Sequence, residues 1–242
     1  MWWTNLFKDM SSTSFFNFSF LPAYTGYFLQ GMAYTLLLAV VSVALAVIPA
    51  LLLALMRLSK RKVIQCISGA YISVFRSTPL LVQLSIIYFG LFTAISIPRI
   101  TILGFVDLSR FIPGVVALAL NSSAYVAEIF RAGILAVDKG QTEAARSLGL
   151  SSWQSMRLVL PQAIKNVLPA LANEVVTMVK ESSICSMLGM AELMFVSKTV
   201  ATGTYITLAP YTIAALIYFC INYPASKAIE AIERRMRRGD KQ

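Results

Sequence analysis

The stretch TEAARSLGLSSWQSMRLVLPQAIKN, residues 142–166, is short, mixed in charge and rich in alanine, and it lies between two strongly apolar parts of the chain. Thr142 to Leu148 can form about two helical turns, with Glu143 near the positive end of the helix dipole. Gly149 is placed to end this helix in the left-handed conformation. Because a helix this short is marginal by itself, the sequence predicts that it packs against another surface.

The chain around this segment has the composition of a membrane protein. It has 242 residues, of which 57% are hydrophobic and 13% are charged, and its mean hydropathy is +0.71. Charged residues are absent from four windows, 10–56, 77–98, 111–127 and 199–226. A helix needs roughly 20 apolar residues to cross a bilayer, so each window predicts one membrane span.

A fifth span is predicted between Leu158 and Val179, a segment that is apolar apart from two asparagines and two charged residues, Lys165 and Glu174. Charges inside a membrane helix are costly, so this span must lie among other helices. We therefore predict an all-α, polytopic membrane protein that forms a single domain, residues 1–242. The five predicted spans cover about 24–57, 63–97, 111–137, 158–181 and 205–229.

The basic residues predict the orientation of the chain. The connection after the first span reads RLSKRK, residues 57–62, and further basic residues lie between spans three and four and in the tail. By the positive-inside rule the N-terminus is outside and the C-terminus inside, which puts residues 142–149 in the cytoplasm. The net charge is +10, and the basic residues that produce it lie mainly beside the span ends rather than in one surface patch. This pattern indicates topology and anionic lipid headgroups rather than nucleic-acid binding.

The sequence contains no recognisable catalytic or metal site. Cys66, Cys185 and Cys220 are far apart and there is no histidine, so no zinc-binding spacing can be formed. A phosphate-binding loop of the form G-x-x-x-x-G-K is also missing, so the chain does not hydrolyse ATP by that route. We expect no catalytic residue, metal or cofactor in this chain, and any energy from ATP would come from a partner.

The second predicted span is interrupted by Pro79, with Arg76 one turn before it. This pattern fits either a structural kink with a snorkelling arginine or a discontinuous helix that lines a cavity. Span three places Asn121, Tyr125 and Glu128 on one face, and such a polar stripe faces protein or water rather than lipid. An alternative for Glu128 is an ion pair with the arginine three residues later, Arg131.

Span four carries a similar polar face with Glu174, Thr177 and Glu181, and it closes in VKESSI, residues 179–184. This ending fits an ordinary exit from the membrane, or a half-helix end at mid-depth that contacts a polar solute. The candidate path residues are therefore Arg76, Asn121, Tyr125, Glu128, Glu174, Thr177, Lys180, Glu181 and Ser182.

From the residues alone, the helix at 142–148 is best interpreted as an interfacial connector packed on its own bundle, and a docking site for another protein is the alternative. Ala144, Ala145 and Leu148 share one face, and alanines permit close backbone approach. Pro161 and Pro169 follow, and they predict an elbow where the chain re-enters the bilayer.

Four segments together resemble a known family. FRSTPLLVQL, SAYVAEIFRAGI, EAARSLG with its following VLP, and VKESSI are similar to successive motifs of the membrane subunits of bacterial ABC importers for polar amino acids. These are permeases of the histidine, glutamine and arginine type, which carry an EAA loop. The resemblance covers roughly residue 26 to the tail. Ser77 stands where glycine is common, and Val159 stands where isoleucine is common.

The resemblance implies the type I, MetI-like permease architecture in a bacterial inner or plasma membrane, with a coupling helix at about 140–151. It also implies a non-enzymatic subunit that pairs with an identical or sister permease and with an extracytoplasmic amino-acid-binding protein. Two cytoplasmic ATPase subunits, which bind ATP and Mg, would dock on the coupling helix. The residues that the family motif assigns to docking are Glu143, Ala144, Ala145, Arg146, Leu148 and Gly149.

The solute implied is a polar amino acid. A basic one would suit Glu128, Glu174 or Glu181, whereas an acidic one would suit Arg76 or Lys180, and we favour a basic or neutral polar amino acid. Two other functions are alternatives to import. An ion-gradient-driven secondary transporter is disfavoured because five spans cannot form two equal inverted repeats and no histidine relay exists. The other is a channel or purely structural membrane subunit.

Overall fold

The computed structural model describes residues 17–95 and 97–238, so the ends of the predicted single domain, 1–16 and 239–242, lie outside the described residues. Within them the chain is almost entirely helical. The helices are α1 (Leu21–Arg57), α2 (Lys62–Ser77), α3 (Leu80–Ser85), α4 (Leu108–Leu135), α5 (Lys139–Ser147), α6 (Ser152–Glu181), α7 (Leu193–Thr204) and α8 (Ala209–Arg238).

Three shorter elements connect these helices. A π-helical turn, Ile86–Leu91, continues α3, and a 3-10 turn, Ser182–Leu188, continues α6. Between α3 and α4 a two-stranded antiparallel hairpin is formed by β1 (Thr101–Ile102) and β2 (Val106–Asp107). The Asp107 carboxylate caps α4, and the hydrogen bonds that it accepts from Ser109 lower the pKa of this carboxyl group below its usual value.

Two of the described helices, α1 and α4, are long and apolar enough to cross a membrane. Two bent pairs also pass this test when each pair is taken together. The first joins α2 to α3 and its π-helical turn with a bend of 106°, and the second joins α6 and its 3-10 turn to α7 with a bend of 48°. By length and composition the described residues thus offer up to four spans, and the fifth predicted span, which falls on α8, stays a prediction.

The most extensive helix contact in the bundle is between α1 and α4. Both helices present small residues along this contact, which allows their backbones to approach closely, as is common between membrane helices. The buried small residues are Ala39, Ser42, Ala46, Ala50 and Ala54 on α1 and Ala117, Ala124 and Ala127 on α4. Tyr34 of α1 packs edge-on to Phe111 at the N-terminal end of α4, with 5.5 Å between ring centroids.

The predicted interruption at Pro79 is confirmed. Helix α2 ends at Ser77, and Thr78 and Pro79 are extended before α3 begins. The side-chain amide of Gln83 donates to the carbonyl oxygens of Phe75, at 2.8 Å, and Thr78, at 2.9 Å. The carbonyls freed by the break are therefore satisfied inside the protein, as an interruption within a membrane requires.

The predicted elbow at Pro161 and Pro169 is wrong, because α6 continues without interruption from Ser152 to Glu181 through both prolines. Packing against α4 explains why the helix survives the loss of two backbone donors. Val167 is buried against Gly133 of α4, where a Cβ would collide with the Val167 side chain. The real bend follows α6, at the 3-10 turn and Gly189, which has a φ of +71°.

Candidate functional site

The short helix α5 is closed at both ends by local hydrogen bonds. The Asp138 carboxylate accepts a hydrogen bond from the Gly140 amide at 2.7 Å. At the other end the Gly149 amide donates to the Arg146 carbonyl at 3.0 Å, and the Leu150 amide donates to the Ala145 carbonyl at 3.1 Å. This pair of bonds is the Schellman motif, which needs a left-handed residue. Gly149 supplies it with a φ of +79°, as the sequence predicts.

Helix α5 presents most of its surface outward. Ala145 is its one buried residue and faces α6, whereas Glu143, Ala144 and Arg146 are exposed. Leu148, just after the helix, is 82% exposed. Packing on its own bundle, as the connector interpretation requires, therefore buries a single alanine of this helix. A surface of apolar and charged residues is left uncovered.

The connection from α5 to α6 is held in one geometry. Arg146 donates to the Ser152 hydroxyl at 2.9 Å, and Ser151 and Gln154 form a reciprocal capping box at the start of α6. These hydrogen bonds fix the end of α5 against the start of α6. Next to this connection, Trp153 is 67% exposed with the Arg157 guanidinium over its ring, 5.5 Å from the centroid.

The interrupted ends of two helices meet inside the bundle. The short helix α3, which begins after Pro79, packs against the 3-10 turn Ser182–Leu188 that follows α6. Leu84 and Cys185 are fully buried in the same apolar cluster. The structure thus brings the FRSTP segment and the VKESSI segment, which are about a hundred residues apart in sequence, into one region.

Three of the nine predicted path residues are exposed in the single chain. The guanidinium of Arg76 lies over the ring of Tyr125, 5.4 Å from its centroid, so α2 and α4 contact each other through this pair. Lys180 is exposed near the end of α6. Thr177 and Glu181 are partly buried on the same helix.

Three others are buried and hydrogen-bonded within the protein. The Asn121 amide donates to the Gln83 side-chain oxygen at 2.8 Å. The Glu174 carboxyl pairs with the Ser122 hydroxyl at 2.8 Å, which joins α6 to α4. Ser182 donates to the carbonyl of Val179 at 2.9 Å.

Glu128, the ninth predicted path residue, forms the ion pair given above as the alternative. Its carboxylate lies 2.8 Å from the Arg131 guanidinium and 4.0 Å from Arg57 at the end of α1. These contacts tie α1 to α4 near the turn that leads into α2.

Sequence reasoning missed Glu192, which is fully buried. Its carboxylate caps α7 by accepting hydrogen bonds from the amides of Met194, at 2.8 Å, and Phe195, at 2.6 Å. It also lies 3.1 Å from the Tyr218 hydroxyl of α8. The one available signal was that Glu192 is the sole charged residue between Ser182 and Ser197.

A cavity of about 760 Å³ lies between the C-terminal part of α4, the middle of α6 and the C-terminal part of α8. Its walls combine small apolar residues with polar ones, including Asn166, Asn173, Ser226 and Glu230. None of the nine predicted path residues lines it. Among the described residues no group of three potential metal ligands is brought together.

Three features occur together in this structure: apolar helices that are interrupted within the bundle, polar side chains on those helices, and between two of them an exposed helix with both apolar and charged residues. Together they define a helical membrane transport protein. The chain belongs to the family of binding-protein-dependent transport system inner membrane components, whose model matches residues 42–238. The sequence-based identification as an integral inner-membrane permease of the ABC importer class is thereby confirmed.

Individual relatives agree with this family. The arginine transport system permease protein ArtQ of Bacillus subtilis is 42% identical over 88% of this chain and 94% of its own length. A putative glutamine transport system permease protein GlnP of Rickettsia typhi is 41% identical over 87% of this chain and 93% of its own length.

Solved structures show the same fold. A crystal structure of an amino acid ABC transporter with histidines is 46% identical, with a TM-score of 0.81, and the match covers 90% of this chain and 98% of that one. An inward-facing MetNI methionine ABC transporter, 17% identical, matches with a TM-score of 0.65 over 87% of this chain and 98% of that one. The predicted MetI-like permease fold is thus confirmed.

Proposed function

We propose that this chain forms, with an identical or sister copy, the translocation path of an ATP-driven importer for a basic or neutral polar amino acid. Two cytoplasmic ATPase subunits bind ATP and Mg and dock on α5, while an extracytoplasmic binding protein delivers the solute. The chain itself carries no catalytic residue. In this arrangement it crosses the membrane five times, with its N-terminus outside and its C-terminus inside.

The observation that carries this proposal is the uncovered surface of α5. A two-turn helix that buries one alanine on its own bundle gains little from its other residues unless a partner covers them. Glu143, Arg146 and Leu148 give this surface both charge and apolar area. The hydrogen-bonded connection to α6 transmits a movement of α5 to a membrane helix. The names of the relatives, which are transport permeases for arginine and glutamine, support the amino-acid substrate.

Within the proposed path the exposed residues are the better candidates for solute contact. Arg76, Tyr125 and Lys180 are exposed at the two interrupted helices, with Thr177 and Glu181 partly exposed beside them. Of the other predicted residues, Asn121 links α4 to α3, Glu174 links α6 to α4, and Glu128 contacts Arg57 of α1. The fourth, Ser182, bonds within its own turn.

The docking role predicts that Glu143→Lys and Gly149→Val uncouple ATP hydrolysis from uptake. The first reverses a charge on the exposed face of α5. The second puts a β-branched residue at a φ of +79°, which destroys the left-handed end of the helix. We expect uptake in reconstituted vesicles to fall at least about tenfold, as loss of roughly 1.4 kcal/mol of coupling would produce.

Two controls accompany this measurement. Gly149→Ala is a milder change at the same position, and Lys60→Gln alters an exposed charge in the α1–α2 turn. Membrane insertion of all four variants should be unchanged, and Lys60→Gln should keep normal uptake. Normal uptake in both Glu143→Lys and Gly149→Val would contradict docking through α5, and uptake that persists without any ATPase would favour a gradient-driven carrier.

A further inference from the structure

We propose that the cavity between α4, α6 and α8 is a cytoplasmic-side binding site for a basic amino acid that is leaving the translocation path. In this site the α-carboxylate is held by the amides of Asn166 and Asn173, and the cationic side chain is held by the carboxylates on α8. The proposal rests on the proposed import function and adds to it a site that lies apart from the interrupted helices.

The α6 side of the cavity belongs to a longer polar stripe. Asn166, Asn173, Thr177 and Lys180 are separated by seven, four and three residues, so they share one face of the helix. The stripe runs for about 21 Å along α6. It connects the cavity with the region where the two interrupted helices meet, and polar residues on such a face lie against protein or water rather than lipid.

The two asparagines on this stripe have hydrogen-bonding capacity to spare. Asn166 makes a long contact, 3.5 Å, from its amide to the carbonyl of Gly133. Among the described residues Asn173 has no hydrogen-bond partner, and it is exposed to the cavity. Two amide groups on the same helix face can donate to both oxygens of a carboxylate, and Lys165 beside them adds a positive charge.

The α8 side of the cavity is acidic. Glu230 and Glu233 both line it, against one lysine, Lys165, on the opposite wall. Lys165 and Glu233 each already have an interaction within the protein, so a ligand would share these groups with their present partners. Glu230 is paired with Lys227 at 2.9 Å, but both side chains are about half exposed, and such surface pairs are weak enough for a ligand cation to compete.

The walls leave room for a hydrated amino acid. On the α4 side, the small residues Ala132, Gly133 and Ala136, the last of them just after the helix, line the cavity beside Ile129. A volume of about 760 Å³ falls within the range of small-molecule sites. The lining has two carboxylates and one amine, so its charge favours an amino acid with a positively charged side chain over an acidic one.

Cysteine protection tests this site in the complete complex with its ATPase partner in lipid nanodiscs. The exposed native cysteines are first replaced, as Cys66→Ser and Cys220→Ser. Ala170→Cys and Ser226→Cys then place a thiol in the cavity, and Lys60→Cys places one on an exposed turn outside it. The rate of modification by a cationic methanethiosulfonate is measured with L-arginine, L-glutamine or L-glutamate present.

We expect L-arginine to slow modification of Ala170→Cys and Ser226→Cys at least about fivefold, with a smaller effect of L-glutamine and none of L-glutamate. Adding Glu230→Gln and Glu233→Gln should raise the L-arginine concentration for half-protection about tenfold, the equivalent of one charge-assisted hydrogen bond. Lys60→Cys should react at one rate throughout. Protection by L-glutamate equal to that by L-arginine, no protection at all, or equal slowing of Lys60→Cys would overturn the proposal.

ATP-driven uptake by the Cys66→Ser, Cys220→Ser complex in vesicles separates the two levels of inference. If uptake depends on ATP hydrolysis and the cavity thiols are not protected, the site is wrong and the importer function stands. If uptake proceeds without ATP hydrolysis, the importer function fails, whatever the protection pattern shows.

Discussion

Single side chains hold the interrupted second span together. Gln83 reaches back across the break to three acceptors, the carbonyl oxygens of Phe75 and Thr78 and the Thr78 hydroxyl. Its own side-chain oxygen then accepts from Asn121 of α4. The Gln83 amide thus donates to acceptors of the broken helix, and the Asn121 amide fixes the orientation of Gln83. Buried polar networks of this kind stabilise a fold only when every member is satisfied.

Replacing Asn121 with leucine should therefore destabilise the protein without altering its fold. Asn121→Leu leaves the Gln83 oxygen buried and without a donor, at a cost of about 1–3 kcal/mol in the free energy of unfolding. Thermal unfolding of the purified permease complex measures this loss. Tyr125→Phe, four residues later, keeps the ring that contacts Arg76 and should stay within about 0.5 kcal/mol of the parent. Equal stability of the two variants would contradict the role of the amide pair.

Among the helices, the bend between α6 and α7 is fixed from three directions. Arg110 at the start of α4 donates to the Gly189 carbonyl. The Thr35 hydroxyl of α1 accepts from the Leu193 amide at 3.1 Å. Glu192 caps α7 and contacts Tyr218 of α8. A 48° bend in the middle of the bundle is thus held by partners on three other helices.

Glu192→Ala should loosen this bend more than any neighbouring change. It removes the cap of α7 and leaves the amides of Met194 and Phe195 and the Tyr218 hydroxyl without this acceptor, which we expect to cost about 2–4 kcal/mol. Thermal unfolding gives the size of the loss, and faster amide exchange across residues 189–196 locates it. Tyr218→Phe removes one hydrogen bond and should cost about 1 kcal/mol. If Glu192→Ala were at least as stable as Tyr218→Phe, Glu192 would not be the residue that holds the bend.

The helices also show which parts of the fold the sequence predicts. Pro79 and Gly149 act through their own backbone geometry, so the break before α3 and the end of α5 are readable locally. The bend at Gly189 depends on Thr35 and Tyr218, which are distant in sequence, and no local pattern indicates them. The same reason explains the wrong elbow at Pro161, since the packing that keeps α6 straight comes from α4.

Across the complete chain, the sequence predicted a polar path but not the cavity beside it. The cavity needs Asn173 of α6 and Ser226 and Glu230 of α8 to face one another, and the relative rotation of two helices is set by the packing of the entire bundle. A set of candidate residues that is chosen by polarity alone also contains residues with different roles. Glu174 and Lys180 lie on the same helix, yet one is bonded to Ser122 inside the bundle and the other is exposed.

The predicted orientation of the chain can be tested with four single cysteines. In the Cys66→Ser, Cys220→Ser background, Leu103→Cys and Tyr205→Cys occupy loops where the native residues are 69% and 90% exposed. Lys60→Cys and Arg234→Cys occupy exposed positions beside clusters of basic residues. The positive-inside rule puts the first two outside and the last two in the cytoplasm.

An impermeant maleimide applied to spheroplasts should therefore label Leu103→Cys and Tyr205→Cys at once, and Lys60→Cys and Arg234→Cys only after the membrane is permeabilised. Labelling at positions 205 and 234 from opposite sides would establish that α8 crosses the membrane as the fifth span, because Tyr205 precedes α8 and Arg234 lies near its C-terminal end. If both positions were labelled from the same side, α8 would not cross. The reverse pattern at all four positions would put α5 outside, where no cytoplasmic ATPase could reach it.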